Sequence, residues 1–204
     1  MQIRIFHALT LFNILLFLSC GKGVFGPARV DGIVNDATTG DPVYNAKVYL
    51  LERENSFDFF GPIPASYIID STTTGAQGRF EFTYEDRHGY IYAVYAVKHN
   101  YIDNYNSGDI LSLGSGTDVE ILLQPEAFLS VHYKNISPAL ASDIFGINGD
   151  ITETLYGSEI DTTLIYRVDG NTKIELHWAV GYDMTVSDTI YCSAFEMTYF
   201  EILY

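Results

Sequence analysis

The chain has 204 residues, 48% of them apolar and 15% aromatic, with 11 Lys and Arg against 26 Asp and Glu and a formal charge of −15 at pH 7. Such a composition can bury a core and is neither disordered nor fibrous, and its acidity opposes contact with a phosphate backbone, so no nucleic-acid partner is expected. The 16 Tyr, 13 Phe and 17 Gly beside only 2 Cys suit all-β structure without a disulfide framework.

Residues 1–19 predict a secreted leader, in which Arg4 is the only charged residue and an apolar run from Ala8 to Leu18 is interrupted only by Thr10 and Asn13. The run is about 11 residues long, short of the roughly 20 that a bilayer-spanning helix requires. It ends in Phe17-Leu18-Ser19-Cys20, followed by Gly21. This segment resembles the lipobox of bacterial lipoproteins, with Phe17 where that family usually has Leu. The resemblance implies cleavage before Cys20, lipidation of its sulfur (palmitate) and acylation of its new amino group. Several acyl chains then anchor stably, each buried methylene contributing about 0.8 kcal/mol. By the same resemblance, Gly21 in place of Asp after the Cys implies the outer membrane, and the lack of an acidic cluster from Gly21 to Gly26 favours its periplasmic face over the cell surface. With Cys20 so used, Cys192 has no intramolecular partner, and its apolar surroundings, Thr189 to Phe195, predict a small buried hydrophobe.

Residues 20–27 are expected to form a tether, and residues 28–125 a first β module. Extended segments are predicted at Arg29–Asn35, Ala46–Glu52, Tyr67–Thr74, Arg79–Glu85, Tyr90–Lys98 and Asp118–Leu123, separated by Gly, Pro, Asp and Thr clusters. The clearest alternation, Arg79 to Glu85, sends Phe80, Phe82 and Tyr84 inward. Gly40 and Gly78 stand where a turn needs a positive φ. Short strands at this spacing imply a sandwich or barrel.

The residues Gly32-Ile33-Val34, Thr39-Gly40-Asp41-Pro42-Val43, Asn45-Ala46-Lys47-Val48, Thr72-Thr73-Thr74, Gly78-Arg79-Phe80-Glu81-Phe82 and Lys98-His99-Asn100-Tyr101 follow one another in the order of a known pattern. Together they resemble the carboxypeptidase regulatory-like domain, a small transthyretin-like (prealbumin-like) β-sandwich, with Asn45 and Asn100 standing where that family has glycine. The resemblance implies an accessory module, because in metallocarboxypeptidases the zinc and the catalytic groups belong to another domain.

Residues 126–204 are expected to form a second, small β-sandwich-like domain. Strands are predicted at Phe128–Lys134, at Thr162–Val168 and Asn171–Val180 as a hairpin closed by an Asp169-Gly170 type I′ turn, and at Asp188–Tyr204. Ser137-Pro138 is read as the start of a helical turn. The short link Gln124-Pro125-Glu126 predicts rigid coupling of the two halves.

No zinc spacing, P-loop, dinucleotide fingerprint or nucleophile elbow occurs in the chain. Hence no cofactor, no metal centre and no catalytic residue is expected, and the chain is read as non-enzymatic. Loop carboxylates near Asp103 and Asp109 mark the place where a Ca²⁺ site would form. His132 and His177 fall on polar strand faces. The aromatic loop with Phe57, Phe59 and Phe60 is the candidate ligand-binding surface, while Tyr67, Tyr90, Tyr92, Tyr95, Tyr101 and Tyr105 are divided between core and platform, with core favoured for rings on alternating positions. The expectation is a lipid-anchored envelope module that binds or scaffolds a protein or glycan partner, with a carbohydrate-binding lipoprotein of a glycan-uptake system as the alternative.

Overall fold

The computed structural model describes residues 24–55, 65–102, 109–111, 117–136, 144–181 and 186–204. Strands are the only regular elements among them. In chain order these are β1 (Val24–Asp36), β2 (Lys47–Glu54), β3 (Tyr67–Thr73), β4 (Arg79–Arg87), β5 (Tyr90–Val97), β6 (Asp109–Leu111), β7 (Thr117–Leu123), β8 (Glu126–Lys134), β9 (Ile144–Gly149), β10 (Glu153–Tyr156), β11 (Asp161–Asp169), β12 (Thr172–Val180), β13 (Val186–Cys192) and β14 (Met197–Leu203). Cys20, Phe57, Phe59, Phe60, Asp103, Tyr105 and the Ser137-Pro138 turn lie outside the described residues.

The strands make four sheets, ordered β4-β1-β7, β3-β2-β5-β6, β11-β8-β14 and β10-β9-β12-β13. The first two enclose one core, in which Val30, Val34, Val48, Leu50, Tyr92 and Leu123 are fully buried, and the other two enclose a second, built on Leu129, Val131, Tyr133, Leu176 and Cys192. Each buried aliphatic side chain stabilises its core by about 1.5–3 kcal/mol. The fold is therefore all-β, with one β-sandwich following another.

The second sandwich repeats the first, strand for strand. In both, the first strand lies at the centre of a three-stranded sheet, antiparallel to the fourth and parallel to the seventh. The second strand pairs with the third and fifth, and the fifth with the sixth, all antiparallel. The correspondence extends to residues: β4 and β11 both have nine residues. The two-residue link that follows each ends on a left-handed residue, Gly89 (φ 86°) or Asn171 (φ 57°).

Aligned this way, the cross-strand pair Gly32 and Phe80 corresponds to Tyr133 and Thr162. A Cβ on Gly32 would lie 2.2 Å from the Phe80 ring and 2.8 Å from the Val119 carbonyl oxygen, so that ring occupies the space above the glycine. In the second half the ring comes from the neighbouring strand, as Tyr133, and the short side chain is Thr162. Two cores of the same topology are thus filled by opposite members of one pair, which conserves volume at close-packed density.

Two expectations are corrected by this topology. Thr162–Val180 is not a hairpin: β11 pairs with β8, β12 pairs with β9 and β13, and the Gly170-Asn171 link carries the chain from one sheet to the other. A type I′ turn needs two consecutive positive φ angles, and only Asn171 has one. Likewise Asp188–Tyr204 is two strands in different sheets, β13 and β14, divided by a turn in which Phe195 takes φ 64°. Asn45 (φ 57°) and Asn100 (φ 67°) both occupy the left-handed region, where Asn is the residue best able to replace glycine.

Candidate functional site

Of the aromatic side chains weighed as a platform, Tyr92 and Tyr95 are buried, Tyr90 and Tyr101 pack against the first core, and Tyr67 is exposed. Strand alternation turns Tyr90 and Tyr92 inward, while Tyr95, on the other face of β5, is covered by stacking on Tyr49, so those rings do not form a surface platform. Cys192 is fully buried and its thiol pKa is raised by burial, which leaves it an inert hydrophobe. Among the described residues no group of three His, Cys, Asp or Glu is placed to hold a metal.

His132 projects from the outer face of the β11-β8-β14 sheet between two carboxylates. Its Nε2 lies 2.7 Å from Asp161 Oδ1 and its Nδ1 lies 3.0 Å from Glu201 Oε1, while Lys134 Nζ lies 3.0 Å from Asp161 Oδ2. Hydrogen bonds to Asp161 and then to Glu201 raise the His132 pKa above its ordinary 6.5. Because the folded pKa is the higher one, this contribution to stability is complete below about pH 6.5 and is lost as pH rises through the raised value. A melting-temperature profile from pH 5.5 to 8.5 should therefore show wild type above His132→Gln at the acidic end and the two curves converging at the alkaline end. A gap that widens with pH would contradict this assignment.

At the junction of the halves, the backbone NH of Glu126 donates to Asn100 O, that of Gly170 to Pro125 O and that of Phe195 to Glu126 O. Side chains add to this. Tyr101 donates its hydroxyl to Asp36 Oδ2 at 3.1 Å, Arg167 pairs with Glu126 and donates to Tyr101 O, and Asn171 donates to Thr38 Oγ1 at 2.9 Å. The Tyr101 and Phe195 rings meet edge to face, and the hydrogen bonds on both sides of Phe195 hold its unusual φ. Burial, then the Asp36 charge, pushes the Tyr101 pKa up to about 12, so the hydroxyl stays a donor at neutral pH. Burial opposes the charge on Asp36, yet hydrogen bonds from Thr38, Thr39 and Tyr101 hold its carboxyl below the ordinary range. Gly170 is required here, since a Cβ would lie 2.8 Å from Ala194 Cα and 3.1 Å from Glu126 O. The halves are thus joined by directed polar contacts rather than by a slack linker.

Two surface grooves occupy corresponding places in the two sandwiches. The first, of about 470 Å³, is lined by Asn45, Lys47, Val97, Lys98 and His99. The second, of about 350 Å³, runs over Gly146 and Ala179 and is lined by Asn148, Glu153, Thr154, His177 and Trp178 among others. The cross-strand pairs Lys47–Val97 and Gly146–Ala179 are equivalent in the repeat, as are Tyr49–Tyr95 and Asn148–His177. In the first half Tyr49 and Tyr95 stack at 4.9 Å with Lys47 over the Tyr49 ring. In the second, Gly146, Asn148 and His177 stand at the positions of Lys47, Tyr49 and Tyr95. Sequence reading did not single out Gly146, Asn148 or Ala179, although the Phe145-x-Ile147 alternation marks the strand that carries two of them.

No family model matches this chain, and no curated protein matches it. Among solved structures it is similar to the minor pilin GBS52 of Streptococcus agalactiae, with 11% identity over 86% of this chain and 94% of that one and a TM-score of 0.40. It is similar to a DUF3823 family protein from Bacteroides uniformis, with 11% identity over 84% and 99% of the two chains and a TM-score of 0.34. The Bacillus anthracis TIE protein is matched at 9% identity and a TM-score of 0.37 over 87% of this chain, which spans only 34% of that protein's length.

Proposed function

We propose that the chain is a non-catalytic, lipid-anchored envelope protein, held through Cys20 at the outer membrane on its periplasmic face, where it binds or scaffolds a protein or glycan partner. The observation that carries this reading is the spacing of anchor and fold. The lipobox-like Cys20 precedes the first residue of β1, Val24, by four positions, a length of chain that extends at most roughly 14 Å. A rigidly joined pair of sandwiches so close to its anchor suits presentation of surfaces beside a membrane. The resemblance of residues 28–125 to the carboxypeptidase regulatory-like domain, an accessory module, supports the same reading.

The test is fractionation with palmitate labelling. The wild-type chain should incorporate label and sediment with outer membranes, whereas Cys20→Ala should lose the label and appear in the soluble fraction. A Cys20→Ala protein that still sediments with membranes overturns the anchoring. A second reading, a carbohydrate-binding lipoprotein of a glycan-uptake system, is favoured by the open polar groove over Gly146.

A further inference from the structure

We infer that the free edge of β14 is a self-association surface, at which two copies of this chain pair β14 with β14 in antiparallel register and merge two β11-β8-β14 sheets into one. This goes beyond the envelope role proposed above and does not depend on it. β14 lies at the margin of its sheet, and among the described residues no strand lies beyond it. The NH of Phe128 donates to Glu196 O, that of Tyr204 to Lys134 O and that of Ile136 to Tyr204 O, so the even-numbered residues of this segment bond to β8. Bonding residues alternate along a parallel ladder, which directs the NH and C=O of Met197, Tyr199, Glu201 and Leu203 to the open side. The same four side chains are exposed, Tyr199 at 77%. An uncovered row of donors and acceptors flanked by apolar side chains is a template for another strand.

The internal repeat shows that this edge is built differently from its counterpart. β7 holds the equivalent place in the first sandwich and exposes Asp118 and Glu120 in its outward row, charges of the kind that keep sheet edges apart. β3, another edge strand, is interrupted by a bulge, whereas the pairing of β14 is regular and the strand carries a single charge, Glu201. A second copy is the occupant that these residues fit. With Phe200 on a two-fold axis, Met197 faces the partner's Leu203 and Tyr199 faces the partner's Glu201. All four outward residues are then paired, and no charge meets its like. A slip one way sets Glu201 against the partner's Glu201, which is unfavourable, and a slip the other way leaves Leu203 with no strand residue opposite. The Phe200 ring, partly buried against the second core and edge-on to Trp178, gains its own copy as a neighbour across the axis.

The experiment is sedimentation velocity of the mature chain carrying Cys20→Ala, so that no acyl chain drives association. It should show a monomer–dimer equilibrium over a range of about 1–100 μM. Tyr199→Pro removes an NH that the β14–β8 ladder does not use, and Tyr199→Glu sets acid against the partner's Glu201. Each should keep the wild-type melting temperature and weaken the dimer at least about tenfold. Oxidative cross-linking reads the register separately. Met197→Cys mixed with Leu203→Cys should give a disulfide-linked dimer, because directly opposed residues of such a pair lie about 5.5 Å apart at Cα, and either variant alone should not; Cys192 is buried and takes no part. If a Tyr199 variant fails to fold, the cross-link decides. A protein that stays monomeric throughout this range overturns the inference. So does a dimer that persists undiminished in the folded Tyr199 variants, or one whose mixed cysteine pair does not cross-link.

Discussion

Replacing Tyr133 by Ala should lower the stability of the second sandwich by about 3–5 kcal/mol, the cost of deleting a large buried ring from a core that relaxes only in part. Tyr133 is fully buried, meets the Phe145 ring edge to face at 5.4 Å and shares a 2.9 Å hydrogen bond with the Tyr166 hydroxyl. Burial, and then the bond to Tyr166, raises its pKa, so the hydroxyl is neutral at physiological pH. The truncation therefore opens a cavity and also removes the hydrogen bond that Tyr133 shares with Tyr166, which adds to the cost. At roughly 2–4 °C per kcal/mol for a protein of this size, calorimetry should show the melting temperature falling by roughly 10 °C. Tyr133→Phe keeps the ring and loses only the hydrogen bond, so it should cost about 1 kcal/mol. Equal losses in the two variants would show that the hydroxyl pair, not the ring, sustains this core.

Asp86→Val should move stability in the opposite direction, with a gain of about 1–3 kcal/mol. Asp86 points inward from β4, two residues after Tyr84, with only 4% of its surface exposed, and its Oδ1 has no hydrogen-bond partner. A buried carboxylate oxygen without a donor has lost its water and received nothing in return. The repeat supplies the replacement: position 86 corresponds to Val168, which is buried in the second core. A urea titration should show a higher midpoint for Asp86→Val with an unchanged slope, and a smaller change for Asp86→Asn, which keeps the polar atoms. A lower midpoint for Asp86→Val would mean that the carboxylate stabilises the fold through a contact beyond those described.

The strand content was legible wherever a face alternates. Phe80, Phe82 and Tyr84 turn inward as the pattern of β4 requires, as do Leu129, Val131 and Tyr133 in β8. The left-handed Asn45 and Asn100 were visible as departures from a glycine pattern and proved to be its physical equivalents. What stayed hidden was decided between strands. An Asp-Gly pair is a local signal with two outcomes, a hairpin or a step between sheets, and the choice depends on where β8 lies, whose Glu126 pairs with Asp169 from far earlier in the chain. Strands β9 and β10 were missed because they are short, with Gly146 interrupting one and loop-like residues flanking the other. The repeat itself escaped notice for a related reason. The rings that fill the two cores sit at non-equivalent positions, so the halves share a topology without sharing a residue pattern. The groove over Gly146 is likewise invisible in sequence, since a glycine in a strand shows that space exists only once its neighbours are known.

The parallel pairing of β1 with β7, and of β8 with β14, has a mechanical meaning. A unit whose first and last strands run in the same direction receives the chain at one pole and releases it at the other. Two such units in series therefore advance along the chain instead of folding back. Strands of about nine residues advance on the order of 30 Å each, so β14 finishes well away from the start of β1. Such a construction gives length as well as surface: the first sandwich acts as a spacer, and the second stands beyond it with its own groove.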